Sequence, residues 1–268
     1  MIALASPHVI DQTVRRNYPH PIAAAWHRAS LSHNDAERVK RLLFSLEVLS
    51  RYLAAMLLND YLRGEPNPQV EELLDKLPRP SLGHWVGLTR EILRGLRSRE
   101  LPAFAPEACS WYFTARGKPT SAAKLFDELV TLRNQEAHGH AVSGAELSAR
   151  ATKLQQDMRS LMGSLSWLKG YRPLKVRTQR LRRQGGFRGE LQWFIGIEAQ
   201  PLPVTAKWDA RLFPDAFYLG NPAGDALLEL SPWVQVLHDT GARQEQVFLV
   251  VGTRKQKKLV LKNDATGN

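Results

Sequence analysis

Apolar residues recur at helical spacing through roughly the first two thirds of the chain and in short strand-like runs after it. From Asn34 to Arg63 the positions Val39, Leu42, Leu43, Leu46, Leu49, Leu53, Met56 and Leu57 follow an i, i+3, i+4, i+7 rhythm, which predicts one long amphipathic helix. Asn34 or Asp35 is placed to cap its start, and Gly64 with Pro66 to end it. A short helix is expected over Pro68–Lys76, stopped by Pro78 and Pro80. Ser81 caps a further helix that runs to Ser98, with Trp85, Leu88, Ile92, Leu93 and Leu96 inward. Thr120 or Ser121 opens the next, with Phe126, Leu129, Val130 and Leu132 on its apolar side. The last begins at Ser143, which has capping-box spacing to Glu146, and continues through Leu147, Leu154, Met158, Leu161, Leu165 and Leu168. Four substantial helices with smaller ones between them predict an antiparallel bundle.

The pattern changes after Trp167. Residues 169–189 carry Lys169, Arg172, Lys175, Arg177, Arg180, Arg182, Arg183 and Arg188, with no acid among them, and close on Gly185-Gly186-Phe187-Arg188-Gly189. This stretch reads as an extended, exposed, basic junction. Beyond it lie short apolar runs at Leu191–Ile197, Val204–Trp208, Phe217–Leu219, Leu227–Leu230, Trp233–Leu237, Val247–Val251 and Leu259–Leu261. Asn221-Pro222, Gly224-Asp225 and Thr240-Gly241 punctuate them as turns, so a small, mostly antiparallel β domain is expected. The expected fold class is α+β: a helical bundle over residues 1–168, the junction 169–189, and a β-rich domain over 190–268.

Composition narrows the classes. With 43% hydrophobic residues, the 268-residue chain has enough apolar material for a real core. Its longest uninterrupted apolar stretch, Leu53 to Leu58, is far short of the ~20 residues of a membrane span, and the N-terminus lacks a charged-then-apolar leader pattern. Cys109 is the only cysteine, which excludes an intrachain disulfide and a zinc site built on paired cysteines. A cytoplasmic protein with no membrane association is expected. Charge adds a partner class. Lys and Arg number 37 against 26 Asp and Glu, a net of +11, with the excess densest after residue 168. That balance favours a polyanionic partner.

The segment richest in chemistry is Phe126-Asp-Glu-Leu-Val-Thr-Leu-Arg133-Asn134-Gln-Glu-Ala-His138-Gly139. It reads as an amphipathic helix ending at glycine, with an arginine, an amide and an imidazole in its final turn. Asn134 and His138 are i, i+4 and share a face, while the long side chain of Arg133 can curl toward them. An imidazole that titrates near neutrality beside a fixed cation suits phosphodiester chemistry. The histidine would take the proton of a ribose 2′-hydroxyl, and the arginine would stabilise the phosphorane.

Arg133-Asn134-x-x-x-His138, set in Leu-Val-x-Leu-Arg-Asn at a helix end, resembles the Arg-x4-6-His signature of HEPN domains. The resemblance covers at most residues 1–168. It implies a helical domain that pairs with a second copy, so that two motifs face each other across a cleft and cut RNA without a metal, leaving a 2′,3′-cyclic phosphate. Family members with a polar residue directly after the arginine are commonly ribonucleases, and Asn134 fits. It also implies two broader alternatives: a toxin or antiviral defence effector, or a non-catalytic dimerisation and adaptor module that serves an effector or regulatory protein partner. One HEPN subgroup carries a modifiable tyrosine two residues after the histidine. Here that position is His140, so such regulation is not implied.

The remaining motifs add less. His138-Gly139-His140 has no nearby acidic cluster, so no metal and no other cofactor is expected. Ser81-Leu82-Gly83-His84-Trp85 reads as a helix start. Trp193, Trp208 and Trp233 are expected in the core of the sheet rather than as base-stacking platforms. The expected site is therefore Arg133, Asn134 and His138 for catalysis, with Lys175, Arg177, Arg180, Arg182, Arg183 and Arg188 as RNA contacts.

Overall fold

A computed structural model describes residues 6–77, 80–137, 144–197, 202–214, 216–239, 244–254 and 258–263. The architecture is mixed α+β. Helices occupy the first part of the chain: α1 (Pro7–Asn17), α2 (His20–Ser30), α3 (Asp35–Tyr61), α4 (Pro68–Leu74), α5 (Leu82–Ser98), α6 (Pro106–Tyr112), α7 (Ser121–Ala137) and α8 (Gly144–Ser164). A 3-10 turn, Ser166–Gly170, leads into two antiparallel sheets. The first has the order β3 (Leu202–Trp208), β2 (Phe187–Trp193), β1 (Arg172–Leu181), β4 (Phe217–Gly220), β5 (Leu227–Glu229). The second has the order β6 (Val234–Asp239), β7 (Gln244–Arg254), β8 (Lys258–Asn263).

The expected caps form where the sequence placed them. Asn34 accepts the Glu37 N–H at 2.8 Å at the start of α3. At α5, Ser81 and His84 satisfy each other's backbone N–H groups, with histidine standing where a capping box usually has Glu or Gln. Thr120 accepts the Ala123 N–H as α7 begins. Three helices had no counterpart in the expected pattern, and each has proline in its first turn: α1, α2 and α6. Proline is tolerated there because the first N–H groups of a helix have no internal partner. The expected cap at Ser143 lies outside the described residues.

α3 is the central rod. It packs on α2, α5, α7 and α8 and touches β5 and β7. α3 is long enough, and over an 18-residue window apolar enough, to cross a membrane, although its uninterrupted apolar runs are short; 83% of that window is buried within the protein. Its buried Asn59 donates to the carbonyl oxygen of Leu230, at the end of β5.

The stretch expected as a junction is itself structured. Arg172–Leu181 is β1, whose inner half buries Pro173, Leu174 and Val176 while its outer half is exposed. The register slips between Val176 and Thr178, which broke the alternation that would have marked it as a strand. At Gly189 in β2, any Cβ would overlap the Thr178 carbonyl oxygen, so glycine lets the two strands close. The run expected as one strand over Leu191–Ile197 divides. Leu191–Trp193 stay in β2, and the chain then leaves to join the α1–α2 corner. There His20 N–H donates to Phe194 O, Gly196 N–H to Tyr18 O and Ile197 N–H to Arg15 O, all at 2.8–2.9 Å. Gly196 sits at φ +68°, and a Cβ would lie 2.8 Å from the Arg16 carbonyl oxygen.

One apolar core runs through helices and sheets. It takes Leu46, Leu49, Leu53, Ile92, Phe126 and Leu161 from the bundle and Phe217, Leu219, Val234 and Leu249 from the strands. A smaller core lies on the opposite face of the first sheet, where Leu174, Val176, Leu191 and Tyr218 are closed over by Leu212 and Ala216. Trp193 and Trp208 pack against it, and Trp233 packs against the main core, as expected for all three.

Candidate active site

The geometry starts with α7. Asp127 in its second turn accepts both Arg90 Nη2 bonds at 2.9 Å, and Arg90 Nε also donates to the Tyr112 hydroxyl at 2.9 Å. Phe126, Leu129 and Val130 are buried in the main core. These contacts set the rotation of α7, so that Arg133, one turn before its end, faces the middle of α3.

There Arg133 meets a carboxylate. Its Nε donates to Glu47 Oε1 at 2.7 Å, and its Nη2 lies 2.6 Å from the same oxygen. The other carboxylate oxygen of Glu47 accepts from Arg51 Nη2 at 3.1 Å, one turn further along α3. Arg133 Nη1 reaches Asn134 Oδ1 at 3.5 Å, a marginal contact. The side chains of Glu47, Arg51 and Arg133 retain 18%, 17% and 30% exposure, so the cluster lies at the rim of the core rather than inside it. Two guanidinium groups converge on the one carboxylate of Glu47, at a depth where charges interact through a lower effective dielectric than bulk water.

Neighbouring elements frame the cluster. Glu136 and Arg150 form an ion pair that ties the end of α7 to α8. Phe44, one turn before Glu47, lies beneath Lys262 of β8, with Nζ 5.9 Å from the ring centre. The cluster therefore sits on a stripe of α3 that α7 borders, and a cation of the second sheet stands over the preceding turn of that stripe.

Of the residues expected in the site, Arg133 and Asn134 come together at this cluster. His138 lies outside the described residues, as do His140 and the rest of 138–143. Among the described residues no group of three or more His, Cys, Asp or Glu is gathered as a metal site would require. The sequence reading did not single out Glu47 and Arg51. Their i, i+4 acid–base spacing on the central helix was the available signal, but such pairs are common on solvated helix faces and carry little weight alone.

The expected RNA contacts lie on the first sheet and separate into two groups. Lys175 Nζ and Arg177 Nη1 are both bound to Glu245 Oε1 of β7, at 2.9 and 3.2 Å. Arg180, Arg183 and Arg188 are exposed. The Arg182 side chain, at the β1–β2 turn, donates to its neighbour Gln184. Comparison of this chain with protein-family models, curated proteins and solved structures finds no match.

Proposed function

We propose that this protein is a metal-independent endoribonuclease of the HEPN type. The observation that carries the reading is the seating of Arg133. The arginine of the Arg-x4-His signature is fixed by Glu47 from the central helix, makes a marginal 3.5 Å contact with the polar residue that follows it, and stands one turn before the end of α7. A fixed, partly dehydrated guanidinium pre-arranges charge for the extra negative charge of a phosphorane.

In this reading His138 takes the proton from the ribose 2′-hydroxyl. The 2′-oxygen then attacks phosphorus, the P–O5′ bond to the following nucleotide breaks, and the leaving 5′-oxygen takes a proton from His138, the acid/base of the step, which restores the neutral imidazole. The products are a 2′,3′-cyclic phosphate and a 5′-hydroxyl. Arg133 neutralises the equatorial oxygens, and Asn134 orients the scissile phosphate. Two copies supply the cleft, so the working unit is a homodimer through the helical region, cut from the same class as toxins and antiviral effectors.

A second reading has its own observation. Arg133 spends Nε and Nη2 on Glu47, as a purely structural ion pair would, which favours a non-catalytic dimerisation and adaptor module.

One experiment separates the two. The whole protein is incubated with an unstructured RNA in EDTA, beside His138→Ala, and its mass is measured by sedimentation. The ribonuclease reading expects a dimer, cleavage with cyclic phosphate ends, and loss of cleavage in the variant. Cleavage that survives His138→Ala, needs a divalent ion, or proceeds fully in a strict monomer contradicts it. A dimer that cuts nothing supports the adaptor.

A further inference from the structure

Strand register brings three cations into a row that linear spacing conceals. Arg180 of β1 lies directly opposite Arg188 of β2, and Arg188 lies directly opposite Lys207 of β3. Directly paired residues project from the same face, with neighbouring strands about 4.8 Å apart, so the row spans about 10 Å. All three side chains are exposed, and among the described residues none reaches a carboxylate within ion-pairing distance. Glu190 stands on the same face one row closer to the core, opposite Thr178 and Thr205, and its carboxylate forms no ion pair with Arg180, Arg188 or Lys207.

Like charges set directly opposite across strands destabilise a sheet. The next cations along β1 illustrate the ordinary remedy, since Lys175 and Arg177 share the Glu245 carboxylate. Among the described residues the outer row has no such partner. A polyanion supplies what the row lacks.

We propose that the solvent face formed by β1, β2 and β3 is a track for the phosphate backbone of single-stranded RNA, gripped by Arg180, Arg188 and Lys207. The choice of RNA rests on the ribonuclease reading, for which this face would hold the substrate away from the cutting point. Charge complementarity identifies the occupant class. The same face offers hydroxyls at Thr178 and Thr205 and, among the described residues, has no exposed large apolar residue beside the row, as insertion into a lipid surface would require. Leu181, 74% exposed, belongs to the opposite face, where it pairs with Phe187. Lys175 and Arg177 drop out of the contact set and Lys207 enters it.

The test measures binding of the full chain to a short single-stranded 2′-O-methyl uridine oligonucleotide, whose blocked 2′-oxygen uncouples binding from cleavage. A salt titration compares wild type with Arg180→Thr/Arg188→Thr/Lys207→Thr. An equal-charge control, Arg116→Thr/Lys118→Thr/Lys124→Thr, alters an exposed basic patch of the helical part. The sheet variant should bind more weakly, its log–log salt slope flatter by about 2 for three lost phosphate contacts at ~0.7 each, and the control should keep the wild-type slope. The sheet variant should also melt no lower than wild type, because the repelling row is gone. Equal losses in both variants reduce the effect to net charge and overturn the proposal. So does an unchanged slope, a lower melting temperature, or loss of binding to phosphatidylserine vesicles with RNA binding intact. Failure of cleavage with this binding result intact counts against the ribonuclease reading alone.

Discussion

Replacing Glu47 by glutamine tests the central cluster most directly, because it keeps the shape and removes the charge. Glu47 takes two contacts from Arg133, at 2.7 and 2.6 Å, and one from Arg51 at 3.1 Å. Glutamine can accept only through one oxygen, and the negative charge of Glu47 between the two guanidinium groups is lost. An exposed ion pair contributes ~0–1 kcal/mol, and breaking a fully buried one costs ~3–5 kcal/mol. With side-chain exposures of 17–30% the cluster lies between these limits, so the expected loss is about 1–3 kcal/mol. For a chain of this size that corresponds to a fall in melting temperature of about 2–10 °C. Urea titrations of Glu47→Gln, Arg133→Gln and the double variant complete a cycle. Its coupling energy should be about 1–2 kcal/mol. On RNA, Glu47→Gln should lower kcat by up to about 100-fold with KM little changed, since a loosened arginine still meets substrate but no longer waits in place. Additive stability effects, or a destabilised variant with unchanged kcat, would refute the claim that Glu47 positions Arg133.

Two further predictions concern the frame around the site. Asp60, 1% exposed, accepts Arg99 Nη2 at 2.6 Å, Arg63 Nη1 at 3.1 Å and the Phe104 N–H at 2.7 Å, so Asp60→Asn should cost about 2–4 kcal/mol; amide exchange over residues 99–105 should speed up ahead of the rest of the chain, and uniform exchange would contradict this local anchoring. Burial holds the His20 imidazole below its ordinary pKa, with the hydrogen bond to Gly196 O pulling the other way. The unfolded chain then binds the extra proton first, so this stabilisation is present above about pH 6.5 and declines as pH falls through that value toward the lower folded one. His27, lowered by burial and by Arg15, acts in the same direction. Melting followed from pH 7.5 to 5 should show a smaller decline in His20→Gln than in wild type, and superimposable curves would remove His20 from the pH response.

Helix identity was legible in the sequence because an amphipathic helix writes its own period. α3, α5, α7 and α8 follow their apolar stripes, and Asn34, Ser81 and Thr120 cap because short polar side chains satisfy N–H groups that the helix cannot. The candidate motif needed only linear spacing, since Arg133, Asn134 and His138 are close in the chain. What linear spacing could not convey is pairing between distant segments. Glu47 reaches Arg133 across 86 residues, and only the packing of α7 on α3 makes a helix-surface carboxylate into the group that holds the arginine. In the basic stretch, charge hid a strand. Val176 and Thr178 straddle a register slip, so alternation failed locally while hydrogen bonding to β2 continued on both sides. That pairing, not the count of arginines, decided which cations Glu245 neutralises and which line up across β1, β2 and β3. Composition sets the sign of a surface, but strand register decides where its charges meet, because neighbours across a sheet are set by hydrogen bonds between segments that the sequence holds apart.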